Sequence, residues 1–93
     1  GGVTHDTREF EASEGYLARA LALRREALGD NHEDTAATMT NLAITLRNLG
    51  RRDEAESLYR QALAINRRVL GDEHVEVAWS LFNLGWALHQ QGR

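Results

Sequence analysis

Residues 62–72 read ALAINRRVLGD, and residues 20–30 read ALALRREALGD. The two stretches lie 42 residues apart, and the likeness continues on both sides of them. When residues 14–51 are set against residues 56–93, 15 of the 38 pairs are identical, whereas roughly two or three identities are expected by chance at this composition. The chain of 93 residues therefore contains an internal repeat, and this repeat decides the fold.

Each repeat carries two helix signals separated by glycine. Apolar residues recur at i, i+3, i+4 and i+7 between Met39 and Leu46, and the same pattern returns between Leu81 and Leu88. The absence of Pro and the 42% of hydrophobic residues also favour helices. We therefore expect an all-α fold. The expected helices lie at about residues 9–28, 33–49, 53–70 and 75–91, after a flexible lead-in at residues 1–8.

The composition argues against several classes of function. The chain contains no Cys, so it forms neither disulfides nor thiolate metal sites. Its net charge of −3 argues against nucleic acid or an anionic membrane as a partner. The longest apolar runs, such as Ala20–Leu23, have four residues, which is too short for a transmembrane helix. No secretion leader precedes the first helix signal, and we expect a cytoplasmic protein.

Two short loops hold the residues that most resemble metal ligands, Asp30 with His32 and Asp72 with His74. Zinc needs three or four converging ligands and each loop offers two, so we expect no metal site and no cofactor. Each His instead precedes a helix start, where its side chain can accept a hydrogen bond from a free backbone amide. The sequence has neither a nucleophile elbow nor a phosphate-binding loop, and we expect no catalytic residues and no enzyme.

The repeat also resembles a known family, through the pattern ALAIxRRVLGDxHxxVAxxLxNL(A/G)…GR. It is similar to the 42-residue tetratricopeptide repeat (TPR) of kinesin light chains, over essentially residues 9–93. In that family each unit is a hairpin of an A helix and a B helix, and the hairpins stack into a right-handed solenoid. The resemblance implies about two units here, in the helix order B–A–B–A.

The resemblance further implies a non-catalytic protein-interaction module. In the family, one side of each A helix lines a concave groove that binds an extended peptide or a partner helix. The groove would include Asn41 and Asn83, whose amides suit contacts with a bound main chain, although packing against a neighbouring helix is the alternative. The aromatic groove residues have burial between helices as their alternative. The other groove positions carried over by alignment are Thr40, Ile44, Arg47, Asn48, Trp79, Phe82, Trp86 and His89.

The last helix signal has two apolar stripes, and a helix that is apolar almost all round is normally buried on most sides. The first helix signal has a similar uncovered stripe, and exposing a large apolar side chain forgoes roughly 1.5–3 kcal/mol. We therefore expect a homo-oligomer, most simply a dimer, in which a last helix contacts either the first or the last helix of another copy. The residues expected in this contact are Leu81, Leu84, Leu88, Trp79, Trp86, Phe10, Leu17 and Leu21.

Two alternatives to the peptide-binding function remain open. One is a self-assembling structural repeat fragment, whose apolar surfaces serve assembly and no other ligand. The other is a sensor or scaffold arm of a larger regulatory ATPase, for which the evidence would lie in a nucleotide-binding motif elsewhere in a parent protein.

Overall fold

Four α-helices make up the computed structural model, which describes residues 2–90 and the side chains of residues 8–89. They are α1 (Gly2–Leu28), α2 (Glu33–Asn48), α3 (Arg52–Leu70) and α4 (Val75–Gln90), and residues 2–90 contain no strand. The expected all-α fold is confirmed. The first helix begins at Gly2 rather than at about residue 9, so it takes in residues 2–8 of the expected lead-in, whose flexibility stays a prediction. Gly1 and residues 91–93 lie outside the described residues.

The two equivalent loops end one helix and begin the next in the same way. Gly29 and Gly71 follow α1 and α3 with φ angles of 83° and 89°, a conformation that costs glycine no steric strain. His32 Nδ1 then accepts a hydrogen bond from the backbone N–H of Asp34 at 3.0 Å, and His74 Nδ1 accepts one from that of Glu76 at 3.1 Å. The predicted capping role of both histidines is thereby confirmed.

The helices form two layers of two. Each helix packs against its neighbours in sequence, and the α2–α3 contact is the most extensive. The side chain of Arg25 in α1 reaches Gln61 in α3, with 3.3 Å between Nη2 and Oε1, so these two helices lie side by side. Since α2 and α4 together line one groove, they form the other layer. The smallest dimension of the molecule, 18 Å, is about the thickness of two helices.

The core lies between the layers and depends on small residues. Alanines of α2 and α3 are fully buried, which lets the two helices approach closely, while Met39, Tyr59 and Val77 fill the remaining volume. The fully buried alanines are Ala36, Ala43, Ala55 and Ala62.

Candidate functional site

A groove of about 180 Å³ runs between α2 and α4, and α3 forms its floor. Trp79 of α4, which is 51% exposed, stands on one side, and the exposed Asn41 of α2 stands on the other. The groove thus brings an aromatic surface and a free amide to the same opening. Its lining residues are Ala37, Thr40, Asn41, Asn66, Glu76, Trp79 and Ser80.

The floor of the groove is a buried polar pair. Asn66 Nδ2 of α3 donates a hydrogen bond to Ser80 Oγ of α4 at 3.0 Å. On the α2 side, the hydroxyl of Thr40 donates to the carbonyl oxygen of Ala36 at 3.1 Å. These three side chains therefore already have partners inside the protein, which leaves Asn41, Trp79 and the carboxylate of Glu76 as groups that can contact a ligand.

One end of the groove is acidic. A second cavity of about 290 Å³ shares Ala37, Asn66 and Glu76 with the groove and adds Glu33, Asp34 and His74. The acidic residues stand in the first turns of α2 and α4, where the helix dipole stabilises negative charge. The Asp34 carboxylate also lies 3.7 Å from the Arg24 guanidinium, so part of this charge is compensated. The acidic residues at this end are therefore explained by their effect on the helix starts, without reference to a ligand.

Three of the predicted groove residues, Thr40, Asn41 and Trp79, come together in this groove. Asn83 does not join them, because it is only 4% exposed, and its Nδ2 has no hydrogen-bond partner among the described residues. The expectation that Asn83 faces a ligand as Asn41 does is therefore wrong for this structure. The identical residue at the equivalent position of α2, Asn41, is exposed, so the two copies differ in burial at this position.

The other aromatic residues form a surface beside the groove. Phe82 stacks on Trp79 with 5.7 Å between ring centroids and 14° between ring planes. Together with Val75 and Ala78, these two rings line an apolar depression of about 330 Å³. Trp86 lies further along α4, with its ring 6.1 Å from that of His89. The alternative of burial between helices does not apply within this chain, since both Trp residues and Phe82 are at least 45% exposed.

The remaining predicted positions lie towards the end of α2 and do not line the groove. Ile44 packs partly against the core. Arg47 is half-buried and lies near enough to Tyr59 to lower the pKa of that phenol slightly, against the larger effect of burial. Asn48 is exposed in the last turn. On α2, the structure thus places the candidate site around the middle of the helix, at residues 37–41.

Three groove residues, Asn66, Glu76 and Ser80, were missed by sequence reasoning. Asn66 lies on a B helix, whereas the family resemblance directs attention to A helices. Its counterpart 42 residues earlier is Arg24, so the repeat gives no signal for it either. The one available clue is that an Asn occupies a position where the other copy has a charged residue.

The residues expected in self-association divide into three sets by burial. Leu21 and Leu84 are 5% and 8% exposed, so the chain buries them itself, and their expected availability for a contact between copies is wrong. Both leucines belong to the shared hydrophobic core of the chain. Phe10, Leu17 and Leu88 are partly buried, and the three exposed members are Trp79, Leu81 and Trp86.

Among the residues that the structure describes, no three side chains of His, Asp or Glu converge as metal ligands. None of the helices among residues 2–90 combines the length and apolar character that crossing a membrane requires.

Comparison with known families gives the identity of the repeat. One tetratricopeptide repeat model matches residues 1–34 and 35–76, and another matches residues 78–93. The match at 35–76 covers most of α2 and all of α3. No curated protein matches the chain. These matches cover most of the sequence, and the chain belongs to the tetratricopeptide repeat family.

Proposed function

We propose that the chain is a non-catalytic interaction module, which binds a peptide or helical segment of a partner protein in the groove between α2 and α4. Tetratricopeptide repeats generally mediate protein–protein interaction and are typically non-catalytic. The observation that supports the proposal here is the pairing of Asn41 with Trp79 across a groove whose floor is already hydrogen-bonded. The cytoplasmic location stays a prediction from the sequence.

The chemistry of the two groups suits a polypeptide ligand. The amide of Asn41 offers both a donor and an acceptor, which matches the N–H and C=O groups of a main chain. The indole of Trp79 offers apolar area for one ligand side chain and loses little conformational entropy when that area is covered. Asn41 is on α2 and Trp79 is on α4. A ligand that contacts both residues would therefore lie across these two helices, with its backbone against Asn41 and one side chain against Trp79.

The experiment is a selection of displayed random peptides against the chain, followed by fluorescence titration of the selected peptides. A Trp86→Phe background leaves Trp79 as the single Trp reporter. We expect bound peptides to shift Trp79 emission to shorter wavelength, and Asn41→Ala to weaken binding. Asn48→Ala is the matched control, because Asn48 is an exposed asparagine of the same helix outside the groove. Binding that survives both Asn41→Ala and Trp79→Ala would place the ligand elsewhere.

Self-association is a second candidate, with a dimer as its simplest product. The specific observation in its favour is the run of exposed apolar residues along α4, among them Leu81 and Phe82, which are 44% and 63% exposed. Such a surface on a small domain is the usual mark of a contact with another protein. The regulatory ATPase arm has no support from a residue of this chain and stays a hypothesis.

A further inference from the structure

The two copies of the repeat differ in charge at one place beside the groove. In the first copy, the guanidinium of Arg24 lies 3.7 Å from the carboxylate of Asp34. The counterparts 42 residues later are Asn66 and Glu76, so the second copy keeps an acidic residue and replaces the arginine with an amide. The carboxylate of Glu76 forms no ion pair with the described residues. It therefore lacks the cation that its counterpart has.

The same replacement leaves a hydrogen-bond acceptor unused. Asn66 has a partner for its amide nitrogen alone, since Nδ2 donates to Ser80 at 3.0 Å while Oδ1 accepts no hydrogen bond from the described residues. Asn66 is only 4% exposed, and it lines both the groove and the second cavity. A buried acceptor is costly to leave unpaired, so this oxygen points to a donor that the chain itself does not supply.

Three carboxylates line the groove and the second cavity, those of Glu33, Asp34 and Glu76. No arginine among the described residues lines either of them, and the sequence contains no lysine. The depression between α1 and α3, in the other layer, is lined by Arg25 and Arg68 instead. The helix dipole explains why carboxylates stand at the starts of α2 and α4, but it does not explain why one of them has lost its counterion.

We infer that the segment bound in the groove contributes an arginine, whose guanidinium contacts the carboxylate of Glu76 and Oδ1 of Asn66. This inference rests on the proposed peptide binding and names the side chain that the groove selects. The first copy of the repeat is the template, since there the chain itself supplies an arginine to the equivalent acidic residue. A guanidinium has five N–H donors in one plane, so it can bond both acceptors at once.

Trp79 suits the stem of the same arginine. It lies three residues after Glu76 in α4, so the two side chains project from the same side of the helix, and both line the groove. The indole can cover the methylene groups of the arginine or stack on its guanidinium, while the carboxylate contacts the charged end. An acidic side chain of a ligand would instead meet an uncompensated carboxylate and is disfavoured.

The test starts from displayed random peptides selected against the chain, with Trp86→Phe so that Trp79 reports binding. We expect the selected peptides to share an arginine. The tightest peptide is then synthesised with that arginine, with citrulline in its place and with glutamate in its place. Citrulline keeps the shape and removes the charge, so it should weaken binding by roughly fivefold, the size of an exposed ion pair, and glutamate should weaken it further. The affinity of the arginine peptide should also fall as salt is added.

Variants of the chain show whether Glu76 is the partner of that arginine. Glu76→Gln should weaken the arginine peptide by the same factor and leave the citrulline peptide unchanged. Glu76→Arg should reverse the preference, so that the glutamate peptide binds more tightly than the arginine peptide. Glu73→Gln is the matched control, because it removes the same charge from an exposed residue outside the groove and the second cavity. Circular dichroism checks that each variant is folded.

The outcomes separate arginine recognition from peptide binding. If Asn41→Ala and Trp79→Ala weaken binding, but Glu76→Gln affects the arginine and citrulline peptides equally, peptide binding stands and arginine recognition is wrong. If no peptide is selected, or if binding survives both Asn41→Ala and Trp79→Ala, the proposed function fails and this inference fails with it.

Discussion

The side-chain amide of Asn66 donates a hydrogen bond to the hydroxyl of Ser80 at 3.0 Å, inside the contact between α3 and α4. Both side chains are buried, and both line the groove. The bond therefore joins α4 to α3 at the floor of the groove. The other copy of the repeat lacks it, since the hydroxyl of Thr38, the counterpart of Ser80, donates to the carbonyl oxygen of Asp34 instead.

Ser80→Ala should lower the free energy of unfolding by about 1–3 kcal/mol, because it leaves the buried amide of Asn66 without its acceptor. Urea denaturation measures this change. In the Asn66→Leu, Ser80→Ala double variant neither position carries a buried polar group without a partner, so part of the lost stability should return. A Ser80→Ala variant as stable as the parent would mean that the amide finds another partner, and that the bond does not fix α4.

The repeat predicts backbone features better than side-chain exposure, and the two asparagines at positions 41 and 83 show why. The caps at His32 and His74 are local, since each depends on residues two apart, and both were predictable from the sequence. Exposure depends on which helices are adjacent. Asn41 and Asn83 are identical residues at equivalent positions, yet Asn41 is exposed and Asn83 is buried, and α2 and α4 differ in the helices that they pack against. The periodicity of the sequence does not predict this difference in exposure.

Asn41→Ala should therefore weaken the binding of a selected peptide by about 1 kcal/mol, or roughly fivefold, without lowering the unfolding temperature. Asn83→Ala should leave the affinity unchanged and alter only stability, because its side chain is buried. Titration of Trp79 fluorescence and thermal unfolding of both variants check the pair. Equal losses of affinity in the two variants would contradict the structural distinction between them.

At acidic pH, the folded chain should lose the contribution to its stability that comes from an ion-pair cluster at the start of α3. The guanidinium of Arg51 contacts Glu54 through Nη2 at 2.7 Å and Glu14 of α1 through Nη1 at 2.5 Å. The hydrogen bonds from Arg51 lower the pKa of Glu54 below its ordinary value of 4.5. The unfolded chain therefore takes up this proton first as the pH falls, so the stabilisation is present above about pH 4.5 and is lost below it.

Glu54→Gln should accordingly flatten the fall in stability below pH 4.5, as measured by urea denaturation at a series of pH values. Glu73→Gln is the matched control, since Glu73 is exposed and forms no ion pair with the described residues. If both variants keep the acid sensitivity of the parent chain, the Arg51 cluster does not contribute to it. The effect should also shrink in high salt, because both Arg51 and Glu54 are exposed.

Tyr59→Phe should raise the free energy of unfolding by about 1 kcal/mol, the reverse of the usual result for a buried tyrosine. Tyr59 is fully buried, and its hydroxyl has no hydrogen-bond partner among the described residues, so phenylalanine keeps the packing and removes a desolvated polar group. Burial also raises the pKa of this phenol, so the parent chain should lose stability as the pH rises above about 10, and the variant should lose less. Tyr16→Phe, at a side chain that is 72% exposed, is the neutral control. A loss of stability in Tyr59→Phe would instead contradict the view that the hydroxyl is an unpaired buried group.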